Sequence, residues 1–500
     1  MRVLLFAAAS SLALATLSAP AVAQHQNMPG MQMPMPEKPA PKKKKVAPKK
    51  TAKKAVVAPV QPVQTKKAPV PIDGMTMPME HDAKPPATEP PPMDHSQMGQ
   101  MPMSDMEQGE HAGHQMAMTG ALGPYEMARE SSGTAWQPDT SEHMGLHIMS
   151  GDWTLMAHGT LNLVYDHQSG PRGDDKTFAS GMLMGMARHP LGNGTLQFKA
   201  MLSPDPTMGK RGYPLLLASG ETANGTDRLI DRQHPHDLFM ELSASVSQNI
   251  GPKSSVFLYA GLPGEPAFGP PAFMHREAIM DSPEAPISHH WLDSTHISFG
   301  VLTGGLVLDR VKVEISRFNG REPDQHRWNI ETGPLDSTSV RVSWNPTRTL
   351  SLQGSWGHFE DPEQLEPGVD QKRWSASALW AIEIAPGWKL ATTLAWGRKT
   401  THGHNDDALA AEASLKHSGW TVFSRAEMAE NRELTDIEDG PAYRVGKASL
   451  GAVRDFRIAD HFSLGVGGLF AVNFVPDSLA PLYGGHNPTG AMGFVRLKLD

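Results

Sequence analysis

The 500 residues contain no cysteine, which excludes a disulfide framework, a thiolate metal site, a cysteine nucleophile and an acylated lipoprotein anchor. Any soft-metal chemistry must then fall to methionine and histidine, of which there are 29 and 23. Past the first residues, no stretch approaches the roughly 18 uninterrupted apolar residues of a membrane-crossing helix, so a membrane role would need a barrel. Also missing are a Gly-x-Ser-x-Gly elbow, a phosphate loop, a His-Glu-x-x-His pair and a dinucleotide fingerprint. The nearest approach to a nucleophilic triad is Ser294 with His296 and Asp293. Neighbours in sequence rarely reach triad geometry, so the chain is not read as an enzyme. The net charge of -8 joins a basic segment near the N-terminus to a more acidic remainder, a balance that does not suggest nucleic acid.

What is present divides the chain in three. Met1 to Ala23 has a secretory plan: Arg2, an apolar run from Val3 to Leu17, then Ala21-Val22-Ala23 before Gln24. It predicts a cleaved signal and an exported protein. From Gln24 to Glu130 proline, lysine, methionine and glycine dominate without periodicity, which predicts a disordered tail. Its Lys42-Lys43-Lys44-Lys45 and Lys49-Lys50-Thr51-Ala52-Lys53-Lys54 runs give a stiff cationic spacer.

Methionines cluster in this tail as Met28, Met31, Met33 and Met35; Met75, Met77 and Met79; Met93, Met98, Met101, Met103 and Met106; and Met116 with Met118. His81, His95, His111 and His114 are interleaved with them. Thioethers are soft neutral donors suited to Cu(I) and Ag(I), and Met-x-Met spacing lets a flexible chain wrap one cation with several sulfurs. The tail is therefore expected to capture copper as Cu(I).

From Trp153 the texture becomes alternating. Leu155, Ala157, Gly159, Leu161, Leu163 and Tyr165 would face one way, and Met156, His158, Thr160, Asn162 and Val164 the other. The rhythm returns after Gly304-Gly305, before Asn345-Pro346, through Pro386-Gly387 and up to Leu499. Strands of about ten residues with apolar outer and polar inner faces predict an all-β fold, an antiparallel outer-membrane barrel of about 12–16 strands over 131–500. A soluble β-sandwich would show the same alternation. Three longer segments, Ser203 to Arg228, Leu262 to Pro286 and Thr401 to Asp407, read as loops.

The densest imidazole and carboxylate content lies between Asp227 and His296. His234 and His236 stand two apart around Pro235, with Asp231 and Asp237 as orienting carboxylates, and His289, His290 and His296 with Asp293 supply a second group. Two readings fit: a nitrogen and oxygen site for Cu(II) or Zn, or a charged lumen lining in which Asp227, Arg228, Asp231, Arg232 and Arg276 pair with one another.

Five stretches also carry a resemblance: Arg232 to Met240, Gly261 to Pro266, Pro271 to Arg276, His289 to Phe299 and Phe318-Asn319-Gly320-Arg321-Glu322-Pro323. Together they resemble a family of secreted proteobacterial proteins often encoded beside copper and heavy-metal resistance genes. The resemblance covers Ser132 to Asp500 and implies metal association without an assigned activity. The tail is similar to the Met-rich N-termini of copper-resistance outer-membrane protein B. The expectation is a barrel in the outer membrane, its tail in the periplasm, that binds copper and meets membrane lipids and periplasmic copper-handling proteins. A general porin with an envelope-tethering tail, and a soluble periplasmic metal-sequestering β-protein, are the rival readings.

Overall fold

A computed structural model of the chain describes residues 119–499 apart from 143, 144, 436, 438 and 439. The signal segment and every metal-binding candidate from Met28 to Met118 lie outside the described residues. The regular secondary structure of the described part is almost entirely strand: β1 (Leu146–Ser150), β2 (Trp153–Gln168), β3 (Asp175–Leu191), β4 (Gly194–Leu202), β5 (Tyr213–Thr222), β6 (Arg228–Gln233), β7 (Phe239–Gly251), β8 (Ser254–Gly261), β9 (Val301–Leu308), β10 (Val311–Phe318), β11 (Ser337–Thr347), β12 (Leu350–Phe359), β13 (Gln371–Ala385), β14 (Trp388–Thr401), β15 (His404–His417), β16 (Trp420–Asn431), β17 (Tyr443–Ala459), β18 (Phe462–Phe474) and β19 (Thr489–Leu499).

Each strand from β7 onward pairs antiparallel with the next, β4 pairs with β7, and the ring closes where β19 meets β2 from Gly490 opposite Gln168 to Leu499 opposite Gly159. The result is a closed barrel of sixteen strands. The short β1 continues the edge of β2 beyond Leu499, with Leu146 opposite Ala157. β5 and β6 pair only with each other and stand outside the ring.

The alternation read from β2 holds. Leu155, Leu161, Leu163 and Tyr165 are exposed on the outside, as are Leu183, Leu258, Ile315, Val342, Leu394, Leu450 and Val495 on other strands. Lys312, Glu314, Arg341, Arg373, Glu412, Arg425, Lys447 and Arg496 are buried inside. Trp344, Trp380, Trp388 and Trp420 sit outside, near one rim. An apolar exterior with an aromatic belt and a polar interior is what strands need to cross a bilayer, and this is a transmembrane β-barrel. Among the described residues no helix is long and apolar enough to cross a membrane.

The two rims differ. At one, consecutive strands join through two residues each, as at Ser418-Gly419, where φ of +48° and +77° gives the left-handed pair that a tight hairpin requires. At the other rim the connections are longer, except for His402-Gly403.

Some turns fall elsewhere than the sequence suggests. Gly304 and Gly305 lie inside β9, where Gly305 is small because the Phe257 ring covers it: a Cβ there would lie 2.2 Å from Phe257 Cζ. Asn345-Pro346 is a bulge in β11 rather than a turn. Thr401 to Asp407, expected as a loop, is a hairpin whose strands run to Thr401 and from His404.

Three segments fill the lumen. Residues 119–142 lie at the short-turn rim, where Ser247 and Ser255 hydroxyls donate to the Ala121 and Leu122 carbonyls at 2.7 and 2.6 Å. Residues 119–130, read from composition as tail, thus belong to this plug. The β4–β7 connection folds inward with the β5–β6 hairpin, and 262–300 crosses the middle, its two ends joined by paired backbone hydrogen bonds between Gly264 and Ser298 at 3.0 and 2.9 Å.

Candidate metal centre

The two histidine groups come together. His234 and His236 follow directly on β6, which ends at Gln233. His289 and His290 open the one-turn helix α1 (His289–Leu292), and His296 lies just beyond it. Ring centres are 5.6 Å apart for His290 and His234, 6.1 Å for His234 and His289, 5.2 Å for His289 and His296, and 5.1 Å for His296 and His236. The five imidazoles form a row that is folded at one end, where His290 also stands 5.6 Å from His289. Phe273 walls it, its ring 5.7 Å from His289 and 6.2 Å from His236.

Each ring is oriented through Nδ1. That atom faces Asp205 Oδ2 at 2.8 Å in His236, Asp293 Oδ1 at 2.8 Å in His289, Glu322 Oε1 at 3.1 Å in His290, the Asp293 carbonyl at 2.8 Å in His296 and Glu221 Oε1 at 3.2 Å in His234. With Nδ1 donating, the Nε2 lone pair is left to accept a metal. In His234, His236, His290 and His296 that Nε2 is buried without a hydrogen-bond partner. Gly220 makes room for one of them, since a Cβ there would lie 2.8 Å from His290 Cε1.

Burial, with Arg327 and the neighbouring imidazoles, pushes His234 well below the usual histidine range. Burial with His236 and His289 does the same to His296. His289 is lowered by burial against the opposing Asp293 carboxylate. Burial also opposes charge on His290, but Glu322 outweighs it and raises that group. Three of the five imidazoles are therefore held toward the neutral form.

The residues fit a metal ion. Two imidazoles on one ion, with metal to nitrogen distances of about 2.0–2.1 Å, place their ring centres roughly 5 Å apart. The pairs His236 with His296 and His296 with His289 meet that spacing; the remaining spacings stretch toward 6 Å. The row offers successive two-nitrogen seats rather than one closed shell. Among the described residues, His358, Glu360 and Asp370 form the trio whose donor atoms all lie within 4.8 Å, but they are half-buried to exposed at the long-loop rim.

The orienting carboxylates differ in part from those expected. Asp231 accepts from the Leu217 amide and the Tyr483 hydroxyl, and Asp237 pairs with Arg327; neither touches an imidazole through Nδ1. Asp293, expected with the second group, orients His289, and Asp205, Glu221 and Glu322 take that role for His236, His234 and His290. Asp205 and Glu322 come from distant connections and Glu221 from the end of β5, and no spacing in the sequence marks these three. Ser294, the nucleophile considered above, faces Arg373 at 3.2 Å rather than His296. The lumen-lining reading holds too, with other partners: Arg276 binds Glu412 at 2.8 and 2.7 Å and pairs with Asp293, while Arg228 pairs with Glu366 and Arg232 with Asp174.

No protein-family model matches the chain, and no curated protein matches it in sequence. Solved structures do resemble it. OmpF of Salmonella typhi, in complex with daunomycin, is 12% identical over 71% of this chain and 100% of its own, with a TM-score of 0.46. OprB of Pseudomonas putida is 10% identical over 70% and 94%, with a TM-score of 0.43. An anion-selective porin from Comamonas acidovorans is 12% identical over 69% and 100%, with a TM-score of 0.41. The barrel assignment rests on the strand pairing itself. The likeness to copper-resistance proteins finds no counterpart among these matches.

Sequence reading passed over one further set of lumen residues, the methionines of β2, β3 and β4. The signal was there in Met182-Leu183-Met184-Gly185-Met186, whose period of two puts three thioethers on one face. Asp205→Asn tests the orienting shell: losing such a carboxylate costs about 10–100-fold in metal affinity. Competition with a chromophoric chelator for Cu(II) or Zn should show that loss, and unchanged affinity would remove Asp205 from the site.

Proposed function

We propose that this barrel stands in the outer membrane and handles copper, with silver accepted through the same softness. The tail takes up Cu(I) on clustered methionines and the imidazole row holds the ion in the lumen. The observation that carries this reading is the row itself, in which four buried Nε2 atoms lack partners while every Nδ1 is pinned. Outer-membrane barrels place short turns toward the periplasm and long loops outside. Thr119, whose carbonyl accepts from Arg188 at 3.2 Å, lies at the short-turn rim, so the tail joins the barrel on the periplasmic side in this reading. Periplasmic copper-handling proteins are the partners it calls for.

The test is copper binding by the full-length chain in detergent, by competition with a chelator of known affinity. The double variant His289→Ala, His296→Ala should lose the lumen copper and keep what the tail carries. Wild-type stoichiometry and affinity in that variant would refute a lumen site. In cells, loss of the gene should lower tolerance to copper and silver, and equal tolerance would refute the role.

A general porin is the second reading, favoured by a cavity of about 680 Å³ at the long-loop rim lined by Arg228, Lys399, Asp406, Glu430, Arg432 and Glu433. Ion conductance indifferent to the five histidines would support it. A soluble metal-sequestering protein fits poorly with the apolar exterior, since Leu163, Leu258, Leu394 and Leu450 would then face water.

A further inference from the structure

We propose a second, sulfur-based site on the inner wall of the barrel, formed by His158, Met184 and Met201 with Met156, Met186 and Met182 beside them, that takes a soft monovalent cation, Cu(I) or Ag(I). It extends the copper reading but stands on its own residues, apart from the imidazole row. Strand register builds it. His158 on β2 lies opposite Met184 on β3, which lies opposite Met201 on β4; Met156 lies opposite Met186, and Thr160 opposite Met182. Directly opposed residues on one face have Cβ atoms about 4.5–5.5 Å apart, and the flexible methionine side chain spans the remainder, so two or three sulfurs and an imidazole can converge on one ion.

Space adjoins them. A cavity of about 80 Å³ touches Met156, Met184, Met186 and His275, and a second of about 70 Å³ touches Met182, His234 and His236; both touch His158 and Met280. Either is large enough for a desolvated cation. His275 adds an Nε2 that is buried and has no hydrogen-bond partner. The first cavity also reaches Glu130 and Thr134 of the plug, so the sulfur site lies between the short-turn rim and the imidazoles.

Packing alone does not account for the choice of residue. In the apolar cluster of this sector seven of nine buried members are methionine. The neighbouring cluster of fifteen, in the same lumen, has two and is otherwise built of Phe, Leu, Val, Ile, Tyr and Ala. Methionine loses more side-chain entropy than leucine when ordered and specifies a core less well, so a wall meant only to be filled would favour leucine. Thioethers add affinity for soft cations.

The experiment uses the full-length chain in detergent with 13C-labelled methionine methyls, titrated with silver nitrate in chloride-free buffer. Met184→Leu and Met201→Leu, which conserve volume, assign two lumen resonances by their disappearance. Those resonances should shift as silver is added to the wild type, and the double variant should bind about one equivalent less silver per chain by elemental analysis. Where the double variant does not insert, weakened silver affinity in each single variant gives the same answer. Lumen methyls that stay fixed while other methionines saturate would overturn the site. The readout is at sulfur, so its failure is separable from failure at the imidazoles, which His289→Ala, His296→Ala reads.

Discussion

Removing 119–142 and replacing both inward connections, 203–238 and 265–297, by short linkers should turn a filled barrel into an open channel, whereas removing 119–142 alone should leave it blocked. Sixteen strands enclose an aqueous pore unless something fills it. Here three segments do. The plug at the short-turn rim is held by Asn345 donating to the Gln137 carbonyl at 2.9 Å and Thr140 donating to the Ala381 carbonyl at 2.7 Å, with the Arg129 guanidinium over both the Tyr125 and the Trp136 rings. The crossing segment touches it where the Ala272 amide donates to the Ser132 hydroxyl at 2.9 Å, and leaves and rejoins the wall at adjacent points, Gly264 and Ser298, as the β4–β7 connection does at Leu202 and Phe239. A linker between those points asks no strand to move. In planar bilayers the intact protein should show no porin-sized step, the single deletion little more, and the combined deletion a large one. A silent combined deletion, or an intact protein that already conducts at porin size, would refute the picture of a filled lumen.

Arg276→Met should cost the barrel about 3–5 kcal/mol, the range for breaking one side of a buried ion pair. The guanidinium is wholly buried and meets Glu412 through two hydrogen bonds of 2.8 and 2.7 Å, the Pro271 carbonyl at 2.9 Å and the Asp293 carboxylate. Without it two carboxylates remain facing each other in the lumen. Both pull on the arginine, and burial is outweighed, so its proton is held far above the usual range. Arg276→Lys keeps the charge but not the paired geometry and should fall between. Urea unfolding in detergent, followed by tryptophan fluorescence, reads the loss. A change under about 1 kcal/mol, the size of an exposed pair, would mean that water replaces the arginine. Because Asp293 also orients His289, Arg276→Met should weaken metal binding as well.

The barrel was legible because lipid imposes a period of two on every strand, and Leu161, Leu163 and Tyr165 display it against Asn162 and Val164. Turn positions were less so. Gly304-Gly305 looks like punctuation until Phe257 is seen to need the space, and that contact lies across strands. The histidines could be named from composition, but their meeting depends on two loops folding into one lumen. Of their orienting carboxylates, Asp293 was in view four residues from His289, and the others were hidden for the same reason: Asp205 lies 31 residues from His236 and Glu322 lies 32 from His290. The adjacent Asp231 and Asp237 were the natural local guess, and each has a stronger partner of its own in Tyr483 and Arg327.

The seam between β19 and β2 joins residues more than three hundred positions apart. That pairing cannot form until the last strand has been synthesised and delivered, and long-range pairing of this kind is slow. Once it has formed, the wall leaves no lateral entry, and a segment bonded from within to β7, β8 and β11 can be seated only through an open end. Lys312 and Arg341, which face that segment, would otherwise seal inward without their partners in it, the Thr134 carbonyl and hydroxyl. The N-terminal segment is thus a cork fitted to the wall rather than a part of it.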